Sequence, residues 1–153
     1  MISRAADIAV YSPDGQLRLV AEARARSGTT PDWAARLRKN LASHHFLPSG
    51  AWFLIAAPDR IYAWRNPAEL ELSSPDFTTP TREAFGDLWT HDLAGLTEES
   101  FVLLLRSWLE TLVQADPKRS EAVVPSWIRE TGLIDEIRQG RVVLQAAWDA
   151  GSR

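Results

Sequence analysis

A reverse turn near the N-terminus places the strongest constraint on how this chain can fold. Residues 6–11 and 17–25 are apolar or alternating, and the sequence Ser-Pro-Asp-Gly at positions 12–15 separates them. Proline fixes its own φ angle and glycine accepts a positive one, which makes this tetrapeptide typical of a turn. The pattern therefore predicts an antiparallel β-hairpin at the start of the chain.

A loop centred on Asp14 and Gly15 also predicts which residues of the two strands face each other. On the first face it opposes Ile8 with Ala21, Val10 with Leu19 and Ser12 with Leu17. On the second face it opposes Asp7 with Glu22, Ala9 with Val20 and Tyr11 with Arg18. The first face is mainly apolar, which predicts that it packs on the core, whereas the second carries charged side chains.

The opposed acids Asp7 and Glu22 are the most informative pair of this hairpin. Directly opposed residues have Cβ atoms about 4.5–5.5 Å apart, and two carboxylates at that distance repel by about 3 kcal/mol at an effective dielectric of about 20. A sheet tolerates such a pair when a cation lies between the acids or one acid is protonated. Period-two alternation puts Arg24 and Arg26 on the same face. The pattern predicts a cation site, and the alternative is a structural ion-pair network in which Arg24 bridges the two acids.

The absence of cysteine narrows the kind of metal that such a site could hold. It excludes a thiolate zinc site, a cysteine nucleophile and a disulfide scaffold, and it fits a reducing cytoplasm, which is the predicted location. A hard ion such as Mg²⁺ takes oxygen ligands from one or two carboxylates and completes its shell with water and phosphate oxygens. A neighbouring cation can orient the attacking water or stabilise the transition state.

The remaining elements predict a single α/β domain. Thr30 and Pro31 open a helix that ends in a cluster of basic residues, Arg36, Arg38 and Lys39. The other predicted elements are strands at 51–57 and 61–64, a mainly extended surface segment over 66–97 with a short helix near 82–89, helices at 98–114 and 126–139, and an edge strand at 141–145. Residues 1–65 form a basic sheet-and-helix core, and residues 66–153 an acidic, mainly helical remainder.

Charge is split unevenly between these two parts, although the formal net charge is only −3. Residues 1–65 hold nine Lys and Arg against five Asp and Glu, whereas residues 66–153 hold eight against fifteen. The basic part also contains the carboxylate pair and is suited to face a polyanion; ordinary scatter of surface charge is the alternative. No apolar run approaches the about 20 residues of a membrane span, so no membrane partner is expected.

The spacing from Asp7 to the sequence Glu22-Ala23-Arg24 resembles the signature of the PD-(D/E)XK nuclease superfamily, the restriction-endonuclease-like fold. The stretch 6–64, a hairpin followed by a basic helix and a strand–turn–strand unit, is similar to an uncharacterised bacterial branch of that superfamily. Weaker similarity continues through residues 125–127 and 140–143. The resemblance implies a mixed central β-sheet with flanking helices and a helical C-terminal part.

The resemblance also implies hydrolysis of phosphodiester bonds in nucleic acid, with DNA favoured over RNA and Mg²⁺, or Mn²⁺, as the cofactor. It implies that Asp7, Glu22 and the backbone carbonyl of Ala23 hold the metal, and that Arg24 stands at the position of the usual lysine. The residues predicted to contact nucleic acid on the surrounding surface are Arg26, Trp33, Arg36, Arg38 and Lys39. For Trp33 the alternative is packing against the core. For the basic cluster of the helix the alternative is a solvated helix face.

Two differences from the family pattern keep a second function open. Arginine cannot act as a base, because it is permanently charged, and the family core begins with a helix that has no counterpart before Asp7. That helix is absent, replaced by a later one, or supplied by a homodimer or another partner subunit. The alternative function is a nuclease-fold module that binds nucleic acid or a protein partner without cleaving anything.

Overall fold

A computed structural model describes residues 3–44, 50–65, 72–115 and 124–149. The strands are β1 (Ser3–Tyr11), β2 (Leu17–Ala23), β3 (Trp52–Ala56), β4 (Arg60–Trp64), β5 (Phe77–Pro80) and β6 (Arg141–Asp149). The helices are α1 (Pro31–His44), α2 (Thr81–Phe85), α3 (Glu98–Val113), α4 (Ser126–Glu130) and α5 (Leu133–Ile137), and a 3₁₀ turn spans Gly86–Leu88.

The described strands form one mixed sheet in the order β5-β4-β3-β2-β1-β6. Strands β2 and β3 run parallel, and the other neighbouring pairs in the described sheet are antiparallel. A parallel pair needs a crossover connection, and α1 supplies it between β2 and β3. The predicted α/β class, with a mixed sheet and flanking helices, is therefore confirmed.

The predicted hairpin register is confirmed in its middle and wrong beside the turn. Ile8 pairs with Ala21, Ala9 with Val20 and Val10 with Leu19. An irregularity between Val10 and Tyr11 then shifts the register, so that Tyr11 pairs with Leu17 rather than Arg18. Ser12 does not face Leu17 as predicted: its backbone N–H donates to the carbonyl of Gln16, which closes the turn. An extra residue on one strand is typical of a β-bulge, and no feature of the alternating pattern signals it.

Both faces of the sheet are covered, and each has its own core. Helices α2 to α5 pack with Ile8, Leu19 and Leu54 on one face, where the largest helical contributor is α3. On the other face α1 packs against Ala9, Val20 and further side chains from β3 and β4. The tryptophans predicted to be core, Trp52, Trp64, Trp108 and Trp127, are all buried.

The acidic part of the chain contains more sheet than its sequence indicates. Phe77–Pro80 is not extended surface but the edge strand β5, anchored by a hydrogen bond of 2.7 Å from the Trp127 indole to the Thr79 hydroxyl. Residues 66–71 of the same predicted segment lie outside the described residues. The helix predicted at 126–139 is divided into α4 and α5, because Gly132 adopts a left-handed conformation (φ 83°) that interrupts the helical hydrogen bonds.

Gly140 allows β6 to approach β1 closely, and its substitution tests this contact. A Cβ atom at this position would lie 1.9 Å from the carbonyl oxygen of Tyr11. We expect Gly140→Ala to lower the free energy of unfolding by about 1–3 kcal/mol, since the two strands must separate to relieve the overlap. Urea denaturation measures the change. The control is Gly95→Ala, where a Cβ would meet nothing within 4 Å; an equal loss in both variants would contradict the explanation.

Candidate functional site

Asp7 and Glu22 lie together at the end of the hairpin that is remote from the turn. Their carboxylates replace the backbone pairing there: the Asp7 N–H donates to Glu22 Oε2 at 3.1 Å, and the Ala23 N–H donates to Asp7 Oδ2 at 2.8 Å. Each acid therefore accepts a hydrogen bond from the opposite strand. The predicted juxtaposition of the two carboxylates is present, and the two hydrogen bonds hold the acids where β2 and β3 end.

The Arg24 guanidinium lies among three oxygen atoms that include both acids. Its Nη1 is 2.8 Å from the Ala23 carbonyl oxygen, 3.4 Å from Glu22 Oε1 and 3.7 Å from Asp7 Oδ2. These are the same three residues that the sequence resemblance assigns to a metal. The oxygens therefore converge on one point, and the nitrogen at that point forms the ion-pair network named as the alternative, in which Arg24 bridges the two acids.

Glu22 is the more deeply buried acid, and its protonation is shifted. Its side chain is 13% exposed, whereas that of Asp7 is 34% exposed. Burial, followed by the repulsion from Asp7, raises the pKa of Glu22 to about 7 from its ordinary value of 4.5, although the Asp7 N–H and Arg24 act in the opposite direction. The site thus holds less negative charge at neutral pH than two free carboxylates would.

This shift makes a prediction about stability and pH. Between pH 4.5 and about 7 the folded chain keeps a proton on Glu22 that the unfolded chain has released. The stabilisation is complete below pH 4.5 and is lost as the pH rises through 7. We expect Glu22→Gln to gain stability relative to the wild type by up to about 3 kcal/mol from pH 4 to pH 8. Denaturant titrations across this range measure it. The control, Glu130→Gln, changes an exposed acid; identical pH profiles for Glu22→Gln and wild type would contradict it.

The segment after β2 is fixed to both layers of the molecule. The Arg24 N–H donates to the Ala56 carbonyl at 2.9 Å, which extends the parallel pairing by one bond. The next N–H, that of Ala25, donates to Glu98 Oε2 at 3.1 Å. Glu98 is the first residue of α3, where the helix dipole favours an acid, so the sequence does not mark it as a site residue. Its contact with the segment after β2 was missed, because no local signal links residues 73 positions apart.

Further along, the loop before α1 is held by Asp59. This carboxylate accepts hydrogen bonds from the Thr29 N–H at 2.8 Å and from its hydroxyl at 2.9 Å, and the same hydroxyl lies 2.7 Å from the Tyr62 hydroxyl. The Thr30 hydroxyl then accepts from the Trp33 N–H at 3.1 Å, which confirms the predicted start of α1. These bonds set the position of α1 relative to the acid pair.

An open cleft of about 280 Å³ lies beside Arg24, between the segment after β2 and α1. Its lining residues are Arg24, Ala25, Arg26, Trp33, Leu37 and Glu98. Arg26 is exposed, and its guanidinium carbon lies 5.9 Å over the Trp33 ring. Trp33 is half-buried, with its ring centre 6.3 Å from that of Tyr62. The structure therefore brings two of the predicted nucleic-acid residues, Arg26 and Trp33, to the same cleft as Arg24. It also adds Glu98 to this cleft.

The predicted basic cluster on α1 does not act as one surface. Arg36 and Lys39 are exposed, but Arg38 is fully buried and lies 5.8 Å over the ring of Trp64. Positions 34 and 38 are one helical turn apart and both point into the sheet, which is why Arg38 follows the buried Ala34. The prediction that Arg38 contacts nucleic acid is therefore wrong, and Arg26, Arg36 and Lys39 are the predicted cationic contacts that reach solvent.

The donor atoms at the acid pair are all oxygens, which are the ligand type that a hard cation prefers. Mg²⁺ binds through one or two carboxylates and completes its shell with water and phosphate, and two carboxylates and a carbonyl are present. Within the described residues no three His, Cys, Asp or Glu side chains come together, so these residues form no closed all-protein metal cage. Binding would require Arg24 Nη1 to move away from the three oxygens.

Comparisons with family models, with curated proteins and with solved structures found no match to the chain. No helix in the described ranges is both long and apolar enough to cross a membrane. The functional assignment therefore depends on the geometry of the acid pair and its surroundings.

Proposed function

We propose that the chain is a Mg²⁺-dependent nuclease-like protein that hydrolyses phosphodiester bonds of nucleic acid, with DNA as the favoured substrate. One observation carries the proposal: oxygens of Asp7, Glu22 and Ala23 lie within 2.8–3.7 Å of a single cationic nitrogen. Three oxygens from two adjacent strands thus surround one position that accepts positive charge. When bound there, a divalent ion would neutralise charge on the phosphate and lower the pKa of the attacking water.

Each residue of the site has a role in this proposal that follows from its position. Asp7 and Glu22 hold the ion together with the Ala23 carbonyl. Arg24, displaced from the oxygens, keeps its charge next to the ion and contacts the scissile phosphate, since a guanidinium suits bidentate phosphate binding. Arg36 and Lys39 contact the neighbouring backbone, because both are exposed on α1.

The topology supports the proposal. The hairpin is followed by α1 and then by β3, which runs parallel to β2. This is the order that the family resemblance implies. Helix α3 packs against β1, β2 and β6 and brings Glu98 to the segment after Arg24. In this proposal α3, a helix from later in the chain, takes the place of the opening helix of the family.

Metal dependence of cleavage and folding tests the proposal. Supercoiled plasmid and labelled single-stranded DNA are incubated with Mg²⁺, with Mn²⁺ or with EDTA, and thermal melting is recorded under the same conditions. We expect nicking or shortening with either metal, none with EDTA, and a higher Tm with metal, because an ion that binds the folded state stabilises it. The absence of both cleavage and a Tm shift would overturn the proposal.

One observation favours the second function, a module that binds nucleic acid without cutting it. Arg24 already supplies a cation to all three oxygens, so part of the negative charge of the acid pair is balanced without a metal. Such a module would bind with an affinity that falls with salt and that survives Asp7→Ala unchanged. A strict metal requirement for binding would contradict it.

A further inference from the structure

We infer that the cleft beside Arg24 receives one unpaired nucleobase, so that the substrate is single-stranded or locally unpaired nucleic acid. This inference rests on the proposed function for its biological meaning. It concerns a neighbouring site, however, and that site can be tested without any cleavage. Its basis is the combination of Trp33, Arg26 and Glu98 around one opening of about 280 Å³.

The size of the cleft suits a base rather than a longer segment of nucleic acid. Sites that enclose drug-sized molecules measure about 300–1,000 Å³, and this cleft lies just below that range. Arg24 belongs both to the lining of the cleft and to the cluster with Asp7 and Glu22. A base in the cleft would therefore belong to a nucleotide adjoining the phosphate held at the acid pair.

Trp33 and Arg26 present two flat groups that already contact each other. The guanidinium carbon of Arg26 is 5.9 Å from the centre of the Trp33 ring, which is within the range of a cation–π contact. A base that stacks on the Trp33 ring displaces the guanidinium, which can then contact the base in turn. Arg26 is exposed and forms no ion pair with an acid among the described residues, so its displacement disturbs no core contact.

Glu98 determines which part of a nucleotide enters the cleft. A carboxylate repels phosphate, but it accepts hydrogen bonds from the amino groups of a base. One of its oxygens is held by the Ala25 N–H at 3.1 Å, which fixes the carboxylate at the cleft wall. Phosphates are thereby directed away from the wall that Glu98 forms and towards Arg24 and the exposed cations of α1, and this wall is left for the base.

A base can reach this position only if it is unstacked. In a duplex its faces are covered and its edge is paired, and extruding it costs a few kcal/mol, least for a strand that is already single. The cleft therefore favours single strands, frayed ends and mismatched positions over an intact duplex.

Binding in EDTA tests the inference separately from cleavage. Fluorescence anisotropy is measured at one salt concentration with a labelled single strand, with its duplex, and with a strand of the same length that carries abasic positions. We expect the wild type to bind the normal strand most tightly. Trp33→Ala should weaken that binding by about 5- to 150-fold, the range for loss of one stacked base, and should bind the abasic strand as the wild type does. Trp33→Phe should restore most of the affinity.

Two further variants keep the test valid if Trp33→Ala unfolds. Arg26→Ala removes the second flat group from an exposed position and should weaken binding of the normal single strand more than binding of the abasic strand. The control is Trp89→Ala, which removes a half-buried tryptophan that does not line the cleft and should leave binding of both strands unchanged. Equal affinity of the wild type for normal and abasic strands would overturn the inference, even if metal-dependent cleavage is found. Base-dependent binding without cleavage would support the inference and count against the proposed nuclease activity.

Discussion

Asp7→Asn is expected to reduce metal-dependent cleavage at least about 10³-fold, because losing a metal ligand removes several kcal/mol of charge stabilisation from the transition state. Asparagine has nearly the shape of aspartate, and its amide oxygen can still accept the hydrogen bond that Asp7 Oδ2 receives from Ala23. The fold should therefore persist while the negative charge is lost. Single-turnover cleavage with Mn²⁺, together with circular dichroism, measures both effects.

The matched control is Asp87→Asn, which removes one exposed carboxylate outside the site. It should cleave at the wild-type rate. If Asp7→Asn also retains wild-type cleavage, the acid pair does not hold the metal and the proposed mechanism is wrong. If cleavage is lost together with the melting transition, Glu22→Gln, which also keeps its shape, provides the deciding measurement.

Arg24→Met is expected to strengthen metal binding and to weaken cleavage. The guanidinium must leave three oxygens before an ion can occupy their centre. Because Arg24 and Asp7 are partly exposed, each ion pair contributes at most about 1 kcal/mol. The expected gain in Mn²⁺ affinity is accordingly about tenfold. Loss of the cation beside the phosphate should lower the cleavage rate by about 10²- to 10³-fold.

Calorimetric titration with Mn²⁺ at pH 8 measures the affinity, since Glu22 is then mostly deprotonated in the wild type. Arg129→Met, at an exposed position on α4, is the control and should change neither quantity. Stronger Mn²⁺ binding together with slower cleavage would distinguish this role of Arg24 from a purely structural one. A variant that binds metal more weakly than the wild type would contradict the competition between Arg24 and the ion.

Much of the candidate site could be predicted from local pattern. A turn of defined type sets the pairing of the strands that flank it, and alternation then places Asp7, Glu22 and Arg24 on one face. These effects act over a few residues, so the middle of the hairpin and the position of the acids follow from the sequence. The shifted pairing of Tyr11 does not follow, because alternation of apolar and polar residues does not mark the position at which a strand bulges.

The burial of Arg38 shows the limit of the same reasoning. Three basic residues close together in one helix look alike in sequence, yet only Arg38 faces Trp64 and the sheet. The edge strand β5 was missed for a related reason: four residues that include a proline give little periodicity, and the buried bond from Trp127 to Thr79 fixes the strand from a distance.

Local pattern was sufficient for the hairpin, for the opposed acids with an arginine beyond them, and for the exclusion of a thiolate metal site. The packed fold was needed to place Arg24 Nη1 among the three oxygens and to bring Glu98 to the segment after β2 from 73 residues away. It also decided that Trp33, Arg26 and Glu98 enclose a cleft. This difference arises because turns and alternation act between residues that are near in sequence. The walls of a site are instead formed by elements that are distant in sequence and that the two hydrophobic cores bring together.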